Sequence, residues 1–346
     1  MSGMPPGGCC GGGPREVYVP DRPSFVYLDR TDLESLGITM AQVVGAVDAA
    51  CRVKGAGGAV MPAKLSLHGE AGAFSQVMAA SLGAQGLGVK WITLFPANVA
   101  AGLPLVNGLV VLSDPATGQV TAVMEAGAVT AWRTGASVAV AARYLARADT
   151  DCAGLLGCGV QGTASVQALA TVLPGLRAVR CFDVVPGAAA AFSRRMRRLL
   201  PEVTVHVCGD ADEVPRGCGV VVSAITMVEG VQPPLGAGLL EAGALAVALD
   251  YDAAWTSAAM AECDRFYCDD AAQVLATREA GPRLAGIPGE IAGDLGELAA
   301  GLVAGRHDDH ERLFCLNLGM AVEDVATAQL ALERARELGV GRDLPL

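Results

Sequence analysis

The stretch Cys152-Ala-Gly-Leu-Leu-Gly-Cys-Gly-Val-Gln-Gly162 decides the fold of this chain. An apolar run enters a G-x-G-x-x-G pattern at residues 157–162, and residues 161–172 have the composition of a helix. In such a loop the first glycine permits a tight turn and the second lets backbone N–H groups approach a pyrophosphate, while the helix start supplies partial positive charge. The pattern predicts a dinucleotide-binding loop; a glycine-rich turn in some other α/β domain is the alternative.

A second predicted strand, residues 178–183, ends at Asp183, which lies 21 residues beyond Gly162. A carboxylate at this distance binds ribose hydroxyls and repels a 2′-phosphate, so we expect NAD(H), with NADP(H) as the alternative. The three residues after Asp183 supply no cation that would reverse this preference. The expected cofactor contacts in this region are Gly157, Gly159, Val160, Gln161 and Asp183.

Predicted strands and helices alternate around the loop. The strands are expected at residues 152–156, 178–183, 204–207, 220–224 and 245–249, with helices at 161–172 and 188–200. This alternation predicts an α/β fold with a doubly wound parallel sheet of the Rossmann type.

The preceding segment has a different pattern, which predicts a second, α+β domain. Short β-like runs are expected at residues 25–28, 60–67, 73–80, 89–94 and 108–113. A helix capped by Thr39 is expected at 39–53, and a turn at 115–118 predicts a hairpin joining 110–114 to 120–124. Long helices are expected at 126–147 and, at the end of the chain, at 321–338.

Composition and charge exclude several classes of protein. Of 346 residues, 52% are hydrophobic, which rules out a fully disordered chain, and the net charge of −11 argues against nucleic acid and anionic membranes. Mean hydropathy is +0.42, yet the long uncharged stretches are interrupted by proline, asparagine, glutamine or glycine, so no membrane span is expected. The Gly/Pro-rich start lacks the features of a signal peptide, and a cytoplasmic location is expected.

No metal site is predicted. The 11 cysteines include no CxxC pair, and small buried side chains are the better interpretation. His307-Asp-Asp-His310 has metal-like spacing, but its polar surroundings predict a solvated loop. Glu323 and Asp324 begin the final helix, where complementing the helix dipole is taken as a sufficient explanation for them.

Lysine is rare in this chain. Lysine and arginine together number 25, and only Lys54, Lys64 and Lys90 are lysines. Lys90 lies between two apolar residues of a predicted strand, where burial can shift its pKa; the alternative is a strand-end lysine whose ammonium group reaches solvent. Arg133, within an uncharged helical stretch, could hold a substrate carboxylate in a fork.

Several motifs, taken in order, resemble the ornithine cyclodeaminase/mu-crystallin family. They are Gly88-Val-Lys90-Trp, Pro96-Ala-Asn98, Gly102-Leu-Pro104, Ala131-Trp-Arg133-Thr-Gly-Ala136, Leu156-Gly-Cys-Gly-Val-Gln161 and Leu318-Gly-Met-Ala-Val-Glu-Asp324. The resemblance implies a homodimer with two domains. Residues 21–148 with 315–346 would bind substrate and dimerise, residues 149–314 would form the Rossmann NAD-binding domain, and residues 1–20 would be a flexible tail.

The resemblance also implies roles for individual residues. Lys90 matches the lysine that contacts the substrate carboxylate or carbonyl region, Arg133 matches the carboxylate-binding arginine, and Lys64 stands where many members have arginine. Asp252 aligns with the aspartate assigned proton transfer in cyclodeaminases. The implied cofactor contacts beyond the glycine loop are Thr134, at the phosphates, and Ser223 and Thr226, at the nicotinamide.

Two departures from the family pattern affect the expected chemistry. Val247-Ala-Leu-Asp250 replaces the usual Asn-Ala-Val-Gly, so either Asp250 or Asp252 could be the acid/base, or Asp250 could raise the pKa of Asp252. Gln76 stands where ornithine cyclodeaminase has glutamate, and a neutral amide cannot accept a proton from a substrate amine.

Three functions follow as hypotheses. The first is an NAD(H)-dependent oxidoreductase that transfers hydride to or from the α-carbon of a small imino or amino acid. The second is an ornithine or lysine cyclodeaminase that uses bound NAD, against which Gln76 counts. The third is a protein that binds NAD(P)H and a small ligand without turnover.

Overall fold

The computed structural model describes residues 23–227, 230–281 and 283–346, and the predicted tail at residues 1–20 lies outside them. Within these ranges the chain forms two β-sheets with helices packed around them. No helix of the described ranges is long and apolar enough to cross a membrane.

The first sheet is mixed and has seven strands. They are β1 (Ser24–Leu28), β2 (Leu65–His68), β3 (Phe74–Ser81), β4 (Leu87–Leu94), β5 (Val106–Ser113), β6 (Val120–Glu125) and β15 (Arg342–Pro345). Their spatial order is β15-β1-β6-β5-β4-β3-β2, with β1 and β6 parallel and the other pairs antiparallel. The predicted hairpin is the β5–β6 pair.

The second sheet is parallel throughout and has eight strands. They are β7 (Cys152–Leu156), β8 (Ala178–Phe182), β9 (Thr204–Val207), β10 (Val220–Ser223), β11 (Leu245–Ala248), β12 (Arg265–Cys268), β13 (Gly293–Asp294) and β14 (Leu313–Leu316). The order β13-β12-β14-β11-β10-β7-β8-β9 runs outward from β7 in both directions. This confirms the doubly wound α/β sheet, whose ligand crevice is expected where the order reverses, beside β7 and β10.

Nine helices are present in the described ranges. They are α1 (Arg30–Ser35), α2 (Met40–Gly55), α3 (Ala126–Leu145), α4 (Val160–Val172), α5 (Ala188–Leu199), α6 (Ser257–Ala261), α7 (Ala271–Ala280), α8 (Leu295–Ala300) and α9 (Ala321–Leu338). Thr39 caps α2 as predicted, by accepting a hydrogen bond from the Gln42 N–H. The bounds of α9 are those expected from its periodicity.

Some expectations from the sequence were wrong. Residues 60–67 do not form one strand: Val60 makes an isolated bridge to Ser81 and β2 begins only at Leu65. Pro62, which has no N–H to donate to a ladder, lies in the gap. The predicted domain boundary at 314/315 falls inside β14, so we propose that it lies after Leu316; the division into two domains otherwise stays a prediction.

Helices α2, α3 and α9 pack together, and α9 also contacts β3, β4 and β5 of the mixed sheet. Side chains alternate along β4, so Lys90 and Ile92 are buried on the face towards the helices, whereas Trp91 is 41% exposed on the other. The helices therefore cover the row that contains Lys90.

Lys54, at the end of α2, connects α2 to loops at the edge of the parallel sheet. Its Nζ lies 2.6 Å from Asp294 and 2.9 Å from Asp270, which cap α8 and α7. These two carboxylates raise the pKa of Lys54 even though burial opposes them. We assign Lys54 a structural role.

Candidate active site

The three glycines of the loop after β7 have different surroundings. Gly157 has φ of +96°, and a Cβ there would lie 2.4 Å from the carbonyl oxygen of Ala224. A Cβ at Gly162 would lie 2.2 Å from the carbonyl oxygen of Gly157, whereas a Cβ at Gly159 would meet no described atom within 4 Å. Packing thus requires Gly157 and Gly162, and Gly159 leaves open space at the start of α4.

Polar groups near this space fit a phosphate-bearing ligand. Gly159 is the N-cap of α4 and supplies no side-chain cap to the first N–H groups of the helix. The buried Gln161 Oε1 and Thr134 Oγ1 have no hydrogen-bond partner among the described residues. Exposed helix N–H groups and a hydroxyl can donate to a pyrophosphate. The start of α4 and the Thr134 hydroxyl therefore fit the phosphates of the dinucleotide predicted from the sequence, whereas Gln161 Oε1 can only accept a hydrogen bond, as from a ribose hydroxyl.

Helix α3 connects the loop region to the predicted substrate residues. It packs so closely on α4 that a Cβ at Gly135 would lie 2.5 Å from the carbonyl oxygen of Ala164. Thr134 immediately precedes this contact, and Arg133 precedes Thr134. One helix thus carries a predicted cofactor contact and a predicted carboxylate ligand in adjacent positions.

Asp183 lies directly after β8 and contacts the glycine loop. Its carboxylate accepts hydrogen bonds from Cys158 N at 2.7 Å and Val185 N at 2.8 Å. These bonds fix the orientation of the carboxylate beside the loop, and its remaining lone pairs can accept ribose hydroxyls.

Ser223, at the end of β10, binds Asp250 across the strand ends. Its hydroxyl donates to Asp250 Oδ1 at 2.8 Å, and Ile225 N donates to Asp250 Oδ2 at 3.0 Å. Burial raises the pKa of Asp250 to about 6. Thr226, predicted with Ser223 as a nicotinamide contact, is exposed in the loop that follows. Both oxygens of Asp250 thus hold the loop after β10.

Two buried cations lie beside two buried carboxylates of the first turn of α9. Lys90 Nζ is 2.6 Å from Asp324 Oδ1, Arg133 Nε is 2.9 Å from the same oxygen, and Arg133 Nη1 is 3.2 Å from Glu323 Oε2. Burial and the charge of Arg133 lower the pKa of Lys90 to about 7, although Asp324 opposes the shift. Lys90 is therefore a buried, titratable ammonium group, as the interpretation based on burial required.

Glu323 and Asp324 were misinterpreted from the sequence. They do begin α9, but both are almost completely buried and pair with Arg133 and Lys90. The helix dipole alone is therefore not a sufficient explanation for them, because two charges removed from water need specific partners. Adjacent acidic residues in an apolar helix start were the signal that could have found them.

Asp269 is a further site residue, and the sequence analysis missed it. It follows β12, is fully buried, and accepts hydrogen bonds from the N–H groups of Asp270 and Gly319. Burial and the charge of Glu323 raise its pKa to about 7. The segment between β14 and α9, which contains Gly319, is thereby held against the cation cluster.

Lys64 joins the same segment from the other sheet. Its Nζ donates to the carbonyl oxygen of Leu318 at 2.6 Å and lies 5.5 Å from the centroid of the Tyr251 ring. The structure thus places Lys64 between the loop that precedes α9 and the end of β11.

Asp252 lies two residues after Asp250 but has different partners. Its Oδ2 accepts a hydrogen bond from Leu284 N at 2.8 Å, and its Oδ1 is 3.4 Å from Arg283 Nη1. Asp252 is only partly buried, so its carboxylate is more accessible to a ligand than that of Asp250.

Met78 is the cross-strand neighbour of Lys90, and Gln76 lies two residues before Met78 on the same strand. Gln76 therefore faces the same side of the mixed sheet as Lys90. Its side-chain amide donates to Ser66 Oγ at 3.1 Å across the β2–β3 pair. This part of the sheet therefore carries neutral polar groups.

The fold and the site together define a class of protein. It is an α/β protein with two sheets, in which helix α3 connects a dinucleotide-type loop to a buried Lys/Arg cluster. The model of the ornithine cyclodeaminase/mu-crystallin family matches residues 27–339. The chain belongs to this family.

Several relatives are similar over nearly the whole chain. An alanine dehydrogenase of Archaeoglobus fulgidus is 32% identical over 320 residues, which are 91% of this chain and 97% of the relative. The structure of Thermococcus litoralis Δ1-pyrroline-2-carboxylate reductase with NADH and L-proline is 30% identical with a TM-score of 0.84, covering 92% of this chain and all of that one. An archaeal alanine dehydrogenase dimer with bound NAD is 29% identical with a TM-score of 0.80, covering 94% and 100%.

Proposed function

We propose that this protein is an NAD(H)-dependent oxidoreductase that transfers hydride to or from the α-carbon of a small α-imino or α-amino acid. The observation that carries the proposal is the buried Lys90–Arg133 pair: Lys90 lies on β4 of the mixed sheet, and Arg133 lies on α3, the helix that packs against α4 after the glycine loop. The alanine dehydrogenase relative supports it, as do the reductase structure with NADH and the alanine dehydrogenase structure with NAD.

Lys90, Arg133 and Lys64 would hold the substrate carboxylate. Arg133 has five N–H donors and Lys90 three, and the pairs with Glu323 and Asp324 leave donors over for a ligand. Orienting a bound substrate can contribute up to ~7–11 kcal/mol to lowering a barrier. The buried carboxylates keep the two cations in place while no substrate is bound.

The residues expected to hold NAD(H) are those of the glycine loop with Thr134 and Asp183, and Ser223 and Thr226 near the nicotinamide end. When bound, the cofactor supplies or accepts the hydride. Asp183 would select NAD(H) because its carboxylate repels a 2′-phosphate.

Asp252 is the proposed proton donor to the substrate nitrogen. Asp250 is less suited to this role because it is buried, whereas Asp252 is partly exposed. Since Asp250 also holds Ser223 and Ile225, we assign it the positioning of the loop after β10. Asp252 is partly exposed at the end of β11, next to the residue that contacts Lys64.

The test is NADH consumption, followed by absorbance, with cyclic ketimine carboxylates and with 2-oxo acids plus ammonium, and NADPH in parallel. We expect oxidation with at least one substrate, faster with NADH. Lys90→Ala should abolish turnover and retain NADH binding, while Arg197→Ala, on the exposed face of α5, should behave as the wild type. Ammonia release from diamino acids without net NADH consumption would instead identify a cyclodeaminase, and binding without turnover a ligand-binding protein.

A homodimer is proposed from an apolar row on the outer face of the mixed sheet. The row consists of Leu65, Val77, Trp91 and Leu109, which are cross-strand neighbours in β2 to β5. Leu65 is 61%, Trp91 41% and Leu109 42% exposed, which is unusual for a run of large apolar residues on one face. The dimer of the archaeal relative supports the assignment.

Light scattering after gel filtration tests this proposal. Trp91→Asp should shift the protein from dimer to monomer, whereas Val207→Asp, at an exposed position of β9, should not. A monomeric wild type would contradict the homodimer. A cytoplasmic location remains part of the same proposal and is tested by cell fractionation.

A further inference from the structure

Tyr251 has a backbone conformation that non-glycine residues rarely adopt. Its φ is +59°, in the left-handed region, which is strained for an L-residue other than glycine. Such a residue persists only where its surroundings impose the conformation, and these positions are concentrated at functional sites. The cost is therefore a reason to ask what the phenol ring does there.

The residues on both sides of Tyr251 are anchored to other segments. Asp250 is held by Ser223 and Ile225, and Asp252 is held by Leu284 N and Arg283. Leu284 also has a left-handed backbone, with φ of +62°. Because Asp252 directly follows Tyr251 and its carboxylate binds Leu284 N, it links the two left-handed residues. The bonds on either side leave Tyr251 little freedom to relax.

The ring of Tyr251 lies near two cations. Lys64 Nζ is 5.5 Å and the Arg283 guanidinium 5.9 Å from its centroid, both within cation–π range. Tyr251 follows β11 of the parallel sheet, whereas Lys64 immediately precedes β2 of the mixed sheet. The ring therefore lies where the two sheets meet.

Lys64 also fixes the ring relative to the proposed substrate clamp. Its Nζ donates to the carbonyl oxygen of Leu318, in the segment where Gly319 lies against the Arg133 guanidinium. A substrate atom bound to Lys64 would lie about 3 Å from Nζ. Because Nζ is 5.5 Å from the centroid of the Tyr251 ring, such a substrate atom has the ring as its neighbour.

We propose that Tyr251 is a specificity-determining residue, whose ring closes the substrate pocket beside Lys64 and restricts the substrate to imino or amino acids with small side chains. This inference rests on the proposed function. A glycine at this position would remove both the ring and the backbone strain and would leave the pocket open beside Lys64.

Three variants test the proposal. Tyr251→Gly removes the ring and the backbone cost, and Tyr251→Phe keeps the ring. Ala71→Gly is the matched control, because Ala71 has φ of +51° in the exposed turn between β2 and β3. If Tyr251→Gly fails to fold, Tyr251→Asn replaces it, since asparagine tolerates the left-handed region.

The first readout is kcat/KM with NADH and ammonium for 2-oxo acids from pyruvate to 2-oxohexanoate. Tyr251→Gly should raise the ratio of 2-oxohexanoate to pyruvate by about tenfold or more, since a few methylene groups in an apolar pocket discriminate to this extent. Tyr251→Phe and Ala71→Gly should keep the wild-type ratio, and all three should keep wild-type NADH affinity. An unchanged ratio in folded Tyr251→Gly would overturn the proposal.

The second readout needs neither turnover nor cofactor. Added L-norleucine should raise the melting temperature of Tyr251→Gly more than that of the wild type, whereas L-alanine should act on both equally. If no protein turns over any substrate, the proposed reaction fails and this measurement decides alone. A selective norleucine shift would support the pocket boundary, and equal shifts would overturn it.

Discussion

Replacing Asp324 by asparagine tests the charge arrangement of the site most directly. The substitution keeps the size of the side chain but removes the charge that lies 2.6 Å from Lys90 Nζ and 2.9 Å from Arg133 Nε. Lys90 and Asp324 are no more than 1% exposed. We expect a loss of stability that depends on pH.

The magnitude follows from the ionisation of Lys90. Breaking a buried ion pair by removing one partner costs about 3–5 kcal/mol when the other charge stays buried. The pKa of Lys90 is already lowered to about 7, and it falls further in Asp324→Asn because burial and Arg133 then act unopposed. At about pH 8.5 the amine is neutral in both proteins, so the cost consists of one hydrogen bond, ~1 kcal/mol, and of the lost pairing of Asp324 with Arg133, which keeps Glu323 as its partner.

At about pH 6 the variant is less stable than the wild type by more than at pH 8.5, because wild-type Lys90 is mostly protonated there and is paired with Asp324. The variant releases this proton rather than bury an unpaired ammonium, and for a pKa of about 7 this adds up to about 1.4 kcal/mol to its stability loss at pH 6. Urea denaturation of both proteins at the two pH values measures this difference. The double variant Lys90→Met/Asp324→Asn should be less destabilised at the lower pH than Asp324→Asn alone.

An equal cost at both pH values would refute the assignment of a titrating Lys90. A double variant as unstable as the single one would refute the pairing itself.

The remaining predictions concern binding and catalysis. Gly159→Val should fold with an unchanged melting temperature but lose NADH binding, measured by fluorescence, because its side chain fills the open space at the loop. Asp183→Asn should lower the preference for NADH over NADPH in kcat/KM, and an unchanged ratio would exclude its role in selection. Arg133→Lys should lower kcat/KM about 10–100-fold without changing NADH affinity, because a bidentate hydrogen-bonding group is lost. The kcat/KM of the wild type should fall above about pH 7 as Lys90 loses its proton, and Lys90→Arg should abolish that fall.

Elements with strong local signals were predicted well. The strands Cys152–Leu156 and Thr204–Val207 and the helix Ala321–Leu338 have the bounds expected from the sequence. In contrast, β12, β13 and β14 were not predicted, since no flanking motif marks them and β13 has only two residues. Short buried strands depend on the neighbours that cover them more than on their own composition.

The sequence by itself determined the parallel sheet and the position of its nucleotide loop. These depend on contacts within a few dozen residues, on glycines that no other residue can replace, and on a carboxylate at a fixed distance along the chain. The rarity of lysine also directed attention to Lys90, although its environment remained open.

Only the tertiary structure decided which charges meet. Lys90 and Asp324 are separated by 234 residues, and Arg133 and Glu323 by 190, so no local pattern pairs them. The same applies to Asp250 and Asp252, whose different partners come from segments remote in sequence. Buried charge is tolerated only beside a specific partner, and which partner is present depends on how distant segments pack.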